Sequence, residues 1–264
     1  KVQLTNSFST GTVKGYAYVG GLLGHGSSAN LYNTYHTYNT DHTTGNVSSS
    51  GYLSLGGSAG YMSGTGGLAG VLESSDVANS FSTVDVTSSA SSNRAACVGG
   101  LIGYFGGAGG GNAMDTITNS YATGTITATS SNSVGGLVGF INLGIIDNCW
   151  TKTSVTGADY VGGLVGKAFS SGNAATDVVK ILNSTVYGFA NGSGKASVSG
   201  RNYVGGILGY GGDQTFGGDP GTPDIYSGAF ISDSASYVNV TGSGDYLGGI
   251  VGRGNIVTDS INYG

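Results

Sequence analysis

Two short sequence blocks alternate along this chain, and their alternation is what most limits the folds that it can adopt. The first block, Gly-Gly-[Leu/Ile]-x-Gly, begins at Gly20, Gly66, Gly99, Gly135, Gly162, Gly205 and Gly248. The second block is aliphatic-x-Asn/Asp-small-large, and its central residues are Asn6, Asn33, Asn79, Asn119, Asn148, Asn183, Asp233 and Asp259. The strict alternation indicates a repeat protein, so residues 1–264 are interpreted as a single repeat domain.

The spacing of the blocks predicts the type of repeat. The shortest gaps are about 14 residues from Asn/Asp to the next glycine pair and about 13 residues onward to the next Asn/Asp. Longer gaps occur in both positions, so a unit of about 27 residues tolerates insertions at two corners. Helical repeats would need more alanine, leucine and charge than a chain with 53 glycines and 9% charged residues offers.

The sequence therefore predicts an all-β, single-stranded parallel β-solenoid of about seven to eight rungs, with loop insertions at two corners. Backbone pairing between rungs sets a spacing of ~4.8 Å, and neighbouring rungs bury each other's apolar side chains. Parallel crossover connections are normally right-handed, so a right-handed β-helix is expected.

Each block has a predicted role within the rung. The glycine pair is expected where the chain turns sharply or where another backbone approaches closely, because glycine has no Cβ. Asparagine is expected at a rung corner, because it tolerates the left-handed backbone region and its amide can bond to the next rung. A ladder of stacked amides is predicted for Asn6, Asn33, Asn79, Asn119, Asn148 and Asn183. The charges of Asp233 and Asp259 place this corner in partial contact with water.

Aromatic residues recur at two fixed positions. Two residues after the Asn of the second block lie Phe8, Tyr35, Phe81, Tyr121 and Trp150, whereas the last three repeats have no aromatic residue there. A second set, Tyr18, Tyr160, Tyr203 and Tyr246, lies directly before the Val/Leu-Gly-Gly sequence. Both sets are predicted to stack along the rungs. Two interpretations stay open: a packed aromatic column, or an exposed flat surface for sugar rings.

Charge and residue types exclude several functions. A net charge of −5 is unfavourable for binding nucleic acid, and no apolar stretch is long enough to span a membrane.

The sequence offers few candidates for a metal site. A zinc peptidase motif is absent, and His36 and His42 are expected on the surface. The nearest approach to an acidic cluster is Asp213, Asp219 and Asp224, a weak candidate for calcium; no cofactor is otherwise predicted. Cys97 and Cys149 occupy different block types, which predicts free thiols.

Ligand binding is predicted in the insertions, because loops carry function more often than the scaffold does. The candidate residues are Tyr104, Phe105, Phe169, Tyr210, Phe216 and Tyr226. A shared corner would line these aromatic side chains up along one edge of the rod. Aromatic rings with nearby amides and hydroxyls are typical of glycan or protein recognition.

The paired blocks resemble a known repeat. The sequences Val134-Gly135-Gly136-Leu137-Val138-Gly139 and Ile117-Thr118-Asn119-Ser120-Tyr121 are similar to the Glug motif of bacterial surface adhesins and of repeats beside IgA-specific metallopeptidases. The resemblance extends over nearly the whole chain. It implies an extracellular location on the bacterial cell surface and a stalk-like or adhesive role, with flanking surface-protein domains as partners. It brings no catalytic residues with it.

A non-enzymatic surface module, adhesin-like or a structural stalk, is therefore the predicted function, with host or microbial glycans or proteins as further partners. The chain begins and ends inside a repeat without a charged or proline-bearing cap. It is therefore expected to be a piece of a longer protein or a filament subunit that stacks head to tail with other copies. A carbohydrate-active enzyme is the second alternative, since parallel solenoids can cleave polysaccharides with clustered carboxylates.

Overall fold

Short strands make up most of the computed structural model, which describes residues 2–39, 45–51, 63–90, 96–106, 114–170, 178–188, 196–212, 214–216, 225–254 and 256–263. These residues form four parallel sheets and one antiparallel hairpin, and none of them is helical. Each rung contributes, in chain order, to a first, a second, a third and a fourth sheet before the next rung begins. The predicted all-β parallel solenoid is confirmed.

The first and second sheets flank the Asn/Asp corner. The first sheet contains β1 (Val2–Thr5), β6 (Ala29–Tyr32), β11 (Asp76–Ala78), β16 (Asp115–Thr118), β20 (Gly144–Asp147), β24 (Val179–Leu182), β31 (Ala229–Ser232) and β36 (Ile256–Thr258). The second sheet contains β2 (Phe8–Thr10), β3 (Val13–Gly15), β7 (Tyr35–Thr37), β8 (Val47–Ser49), β12 (Phe81–Ser82), β13 (Val86–Ser88), β17 (Tyr121–Ala128), β21 (Trp150–Gly157), β25 (Thr185–Val186), β26 (Ser197–Gly200), β32 (Ala235–Ser236), β33 (Asn239–Gly242) and β37 (Ile261–Asn262).

The third and fourth sheets flank the glycine pair. The third sheet contains β4 (Val19–Gly20), β9 (Ser63–Gly66), β14 (Ala96–Gly99), β18 (Val134–Gly135), β22 (Asp159–Gly162), β27 (Asn202–Gly205) and β34 (Leu247–Gly248). The fourth sheet contains β5 (Leu23–Ser27), β10 (Ala69–Glu73), β15 (Ile102–Gly106), β19 (Val138–Asn142), β23 (Val165–Phe169), β28 (Leu208–Tyr210) and β35 (Val251–Arg253).

One element departs from the repeat. The strands β29 (Gln214–Phe216) and β30 (Ile225–Ser227) pair antiparallel as a separate hairpin. This hairpin lies between β28 and β31, in an insertion that follows the glycine pair of its rung. An insertion that lies outside the rung ladder is free to adopt its own pairing.

The core runs along the rod between the sheets. The first sheet contributes fully buried aliphatic side chains, such as Val77, Ile117 and Ile146. At the glycine pair, two adjacent apolar residues are both buried, for example Leu137 and Val138. Side chains of a regular strand would alternate between the two faces, so the turn is what directs both side chains into the core.

The glycine pairs are required by close backbone contacts. A Cβ at Gly135 would overlap the carbonyl oxygen of Val138 in the same turn, and a Cβ at Gly136 would overlap the carbonyl oxygen of Gly163 in the next rung. The N–H groups of Leu137 and Val138 both donate to the carbonyl of Leu164, at 2.8 and 3.0 Å. The pair therefore serves both predicted purposes, a sharp turn and a close approach of two backbones.

The Asn/Asp corner adopts the predicted left-handed conformation in all eight rungs. The φ angles of these residues lie between 47° for Asp259 and 54° for Asn33, and all eight side chains are exposed. The amide ladder is interrupted: Asn33 donates to Asn6 at 2.5 Å and Asn148 to Asn119 at 2.7 Å, whereas Asn183 donates to Asp147 at 2.8 Å.

A second ladder, which the sequence analysis did not predict, lies one residue further along. The buried hydroxyls of Ser80 and Ser120 accept the backbone N–H of the equivalent residue in the preceding rung, at 3.0 and 3.1 Å. The same hydroxyls donate to the backbone carbonyls of the residues two positions earlier in the sequence, Ala78 and Thr118, at 2.9 and 2.7 Å. Serine therefore satisfies backbone groups that would otherwise be buried without partners.

The first prediction concerns the glycine turn. Replacing Gly135 by alanine should lower the free energy of unfolding by about 2 kcal/mol or more, because the new methyl group can only be accommodated by moving two backbones apart. Gly254→Ala is the control, since its Cβ would meet only the movable Cγ1 of Val251 at 3.0 Å and the next atom at 3.8 Å. Chemical denaturation measures both, and equal stabilities for the two variants would contradict the proposed role of the turn.

Candidate functional site

The first aromatic set forms a ladder on the outside of the second sheet. Neighbouring rings from Phe8 to Trp150 stack in parallel with centroids 4.2 to 5.1 Å apart. The ladder continues in the last three rungs, where the aromatic residue moves two positions along the chain to Tyr187, Tyr237 and Tyr263. Neighbouring rings cover one another's faces, so the ladder is a packed column and offers a sugar ring little flat surface.

A second column of side chains crosses the fourth sheet. Its members occupy the same register position in successive strands: His25, Val71, Tyr104, Phe140, Lys167, Tyr210 and Arg253. Tyr104 stacks on Phe140 with centroids 5.5 Å apart. Tyr104 and Tyr210, two of the residues predicted to bind a ligand, therefore do lie along one line of the rod, with Phe140 and Lys167 between them.

The tyrosines before the glycine pairs stand beside this column. Tyr160, Tyr203 and Tyr246 stack in order, with centroids 5.0 and 4.8 Å apart. Each of these tyrosines has a left-handed backbone, with φ of 54°, 56° and 63°. This conformation costs roughly 1–2 kcal/mol in a residue other than glycine. The equivalent residues Tyr18 and Ser133 share this conformation, with φ of 52° and 63°, so the cost belongs to the turn that precedes the glycine pair and not to the rings.

Lys167 lies at the junction of the two columns. Its Nζ atom lies 5.0 Å from the centroid of Tyr160, 5.5 Å from Phe140 and 5.6 Å from Tyr210. The ring of Tyr210 is in turn tilted against Tyr160 and packs edge-to-face with Tyr203. Two rungs further, the Arg253 guanidinium lies 4.9 Å from the centroid of Tyr246. We define the tyrosine–lysine face as Tyr160, Lys167, Tyr203, Tyr210, Tyr246 and Arg253.

The electrostatics of this face are unusual for an acidic protein. Lys167 is partly buried, and burial lowers the pKa of its ammonium group. The two ion pairs within the described ranges join His25 to Glu73 and Arg201 to Asp159, so Lys167 has no carboxylate partner there. The electron-rich faces of three rings stabilise the charge instead. The face thus holds a cation that an anion could still approach.

The other residues that were predicted to bind a ligand lie in different environments. Phe105 is fully buried in the core, so its prediction as a binding residue is wrong: it alternates with Tyr104 along β15 and points to the opposite side of the strand. Phe169 is partly buried and aligned with Asn142. Phe216 and Tyr226 belong to the hairpin strands, but their side chains lie outside the described residues, as do Asp213, Asp219 and Asp224.

The histidine prediction needs one correction. His36 was expected on the surface, but it is fully buried. It occupies the inward position of β7, aligned with Ser9 and Ser82. Its Nε2 donates to the carbonyl of Gly45 at 2.8 Å, and its Nδ1 lies 2.8 Å from Ser9 Oγ. Burial lowers the pKa of His36, although its contacts with the backbone carbonyls of Gly45 and Ser9, at 2.8 and 3.1 Å, oppose that effect, so the ring is a neutral packing element.

The two cysteines are free thiols, as predicted. Both are buried, and burial raises the pKa of each thiol to about 12. Cys149 replaces serine in the hydroxyl ladder, with its Sγ 3.3 Å from the carbonyl oxygen of Asp147. A protonated, enclosed thiol is a poor nucleophile, so both cysteines serve packing. No group of three or more His, Cys, Asp or Glu side chains that could hold a metal ion occurs in the described part of the chain.

One carboxyl has an unusual pKa. Burial raises the pKa of Asp115 to about 6, and the nearby carboxylate of Asp76 adds to this shift, whereas hydrogen bonds from the backbone of Ser75 and Ser74 oppose it. A protonated acid near neutral pH suits general-acid chemistry. Cleavage of a glycosidic bond uses a second carboxylate across that bond, but Asp76 instead binds the N–H and Oγ of Thr116, at 3.1 and 2.7 Å.

Sequence reasoning found the tyrosines of the face but missed Lys167. The sequence does contain a relevant pattern: in each of these three rungs, the residue of the fourth sheet that contacts the tyrosine follows it by seven residues, across the glycine turn. Tyr160 and Lys167, Tyr203 and Tyr210, and Tyr246 and Arg253 all show this spacing. Recognising it requires knowing that the turn folds the third sheet onto the fourth.

Comparisons with known proteins give no assignment. No family model, no curated protein and no solved structure matches this chain. In the ranges that the structure describes, we find no helix with the length and apolar character needed to cross a membrane.

The second prediction concerns the cost of Lys167. Lys167→Met should leave the free energy of unfolding at pH 7 unchanged or raise it by roughly 1 kcal/mol, because an apolar side chain of similar length avoids burying a charge. Since the folded-state pKa is lowered, the unfolded chain binds the proton more tightly, and wild-type stability should rise with pH between the lowered value and the ordinary value near 10.5. The advantage of the variant should therefore shrink in this range.

Denaturation curves of both proteins at several pH values measure this effect. A loss of stability in Lys167→Met of the size seen for core substitutions, roughly 2–5 kcal/mol, would show that the lysine is a structural element.

Proposed function

We propose that this chain is a rigid, non-enzymatic module of a bacterial cell-surface protein, acting as an adhesin-like stalk that presents a binding face. The observation that carries the proposal is the continuity of the ladders. The first sheet pairs eight strands and the fourth sheet pairs seven strands in unbroken order. Bending such a rod at any rung would break backbone hydrogen bonds in several sheets at once, and stiffness is what a stalk requires.

The outer surface also fits this role. The solvent-exposed faces carry hydroxyls, amides and tyrosines with few charges, since only 9% of the residues are charged. Such a surface can carry hydrogen-bonding and aromatic contacts, which are the contacts that glycans and protein partners use. The similarity of the repeat to the Glug motif of surface adhesins supports the same role.

The third prediction concerns location. Antibodies raised against the purified chain should label intact cells of the organism that produces it, and brief protease treatment of intact cells should remove the label. Labelling that appears only after the cells are broken open would contradict the proposal. An antibody against a cytoplasmic protein is the control for cell integrity.

Head-to-tail association of copies is the second candidate function. The first and last described rungs expose apolar side chains: Phe8 is 60% exposed, Ile261 51% and Val257 44%. The strands β1 and β36 form the two outer edges of the same sheet, and an exposed strand edge pairs readily with another strand. In a longer polypeptide, adjoining rungs would cover the same surfaces.

The fourth prediction tests this association on residues 1–264 alone. Light scattering over a range of concentrations should show mass growing beyond the 26.1 kDa of one chain, and Phe8→Lys should prevent that growth by placing a charge on the edge rung. A mass that stays at one chain at every concentration would contradict head-to-tail association.

A further inference from the structure

The tyrosine–lysine face combines a partly buried cation, a row of stacked phenols and a second cation. We propose that it binds an acidic polysaccharide, with sugar carboxylates at Lys167 and Arg253 and sugar hydroxyls along the tyrosine row. The inference deepens the proposed function, because it names the class of ligand that the surface module would hold.

Lys167 provides the first argument. Its charge has been partly removed from water and is held by three aromatic rings, within 5.0 to 5.6 Å of each centroid. Much of its desolvation has therefore already taken place in the free protein. A ligand carboxylate that reaches Nζ would form a charge-assisted hydrogen bond in a low-dielectric environment, where such bonds are strongest.

The placement of the two cations provides the second argument. The chain has nine lysines and arginines against 14 acidic residues, yet two of the nine occupy one column of the fourth sheet. Lys167 aligns with Tyr210, and Tyr210 aligns with Arg253. Two strand spacings therefore separate the cations, about 10 Å, and the line that joins them runs along the rod. A polymer that carries carboxylates at intervals along its length matches this arrangement.

The acidic groups of the neighbouring strands leave Lys167 as the positive centre of the face. Asp159, which precedes Tyr160, accepts hydrogen bonds from the Arg201 guanidinium and from the Asn202 side-chain amide. Glu73 lies three strands from Lys167 in the fourth sheet, in β10, where it pairs with His25 at 3.3 Å. Asp159 is thus engaged by a cation and an amide and Glu73 by a histidine, whereas the exposed Asp245, next to Tyr246, adds a negative charge at the Arg253 end of the face.

The tyrosine row favours a carbohydrate over an acidic peptide. Tyr160, Tyr203 and Tyr246 stack nearly face to face, so their covered ring faces leave edges and hydroxyl ends to contact a ligand. Identical groups that recur once per rung suit a ligand that repeats one unit. A polyuronate repeats hydroxyls and a carboxylate in every unit, whereas the side chains of a peptide alternate in direction.

The fifth prediction is a binding experiment with matched variants. Titration calorimetry with hexagalacturonate should detect binding to the wild-type chain, and Lys167→Met should weaken it by roughly tenfold or more, since it removes a charge-assisted bond. Lys152→Met is the control: Lys152 is a partly buried lysine of the second sheet, aligned with Thr123 and away from the face. It removes the same charge and should change the affinity less than twofold. Lys167→Arg should retain most of the binding.

Several outcomes would overturn the proposal. They are no binding of hexagalacturonate by the wild-type chain at millimolar ligand, equal weakening by Lys152→Met and Lys167→Met, and equal affinity for a neutral hexasaccharide of glucose. Tighter binding of a poly-glutamate peptide than of hexagalacturonate would point to a peptide ligand and would also contradict it. None of these outcomes would alter the labelling of intact cells, so failure here leaves the surface-module proposal to its own test.

Discussion

The close contact of two backbones at each glycine pair is the constraint on which the rest of this structure depends. At Gly135 and Gly136 the chain reverses so tightly that carbonyl oxygens occupy the space of the missing side chains. The reversal sends Leu137 and Val138 into the core together. It also brings the third sheet against the fourth, so that residues seven apart in sequence meet on the outside of the rod. The core and the tyrosine–lysine face are therefore two consequences of one turn.

Side-chain ladders add further contacts between rungs to the backbone hydrogen bonds. The serine hydroxyls at the Asn/Asp corner satisfy buried N–H groups between rungs, and the stacked rings outside the second sheet follow the same axial repeat. Left-handed backbone conformations occur at the Asn/Asp corner, before the glycine pair, and between the fourth and first sheets at Ser28, Ser74 and Leu143. Asparagine at the corner suits its left-handed backbone, whereas tyrosine before the glycine pair does not. The equivalent residue Ser133 has the same conformation, with φ of 63°, so the turn adopts it without a tyrosine ring as well.

Much of the fold could be predicted from the sequence, because a repeated block reports the same environment many times. The alternation of glycine pairs with Asn/Asp identified the rung, and the φ angles at Asn6 to Asp259 match the expected corner. The fate of individual side chains was harder to predict. The aromatic ladder outside the second sheet continues through Tyr187, Tyr237 and Tyr263, because a residue two positions further along a strand points to the same side of the sheet. The position that holds the first five aromatic residues has no aromatic residue in the last three repeats, so a comparison of that position alone does not reveal the shift.

Binding residues were the least predictable, since contacts across the turn depend on geometry that single positions do not encode. Phe105 and Tyr104 are adjacent in sequence, yet one is core and the other is partly exposed. Lys167 gives no motif by itself, and only its place between Phe140 and Tyr210 in the sheet reveals its environment. Sequence periodicity specifies the scaffold well, whereas the chemistry of one rung depends on the rungs beside it.

Distances between pairs of spin labels, measured by pulsed electron–electron double resonance, test the stacked-rung account most directly. One column of the second sheet holds exposed or partly exposed residues: Lys14, Ser48, Thr87, Thr127, Thr156, Ser199 and Thr241. Spin labels at Lys14 and Ser199 should lie about 24 Å apart, and labels at Lys14 and Thr241 about 29 Å apart, because each rung adds ~4.8 Å. An equal distance for the two pairs, or a shorter distance to Thr241, would contradict a rod of parallel rungs.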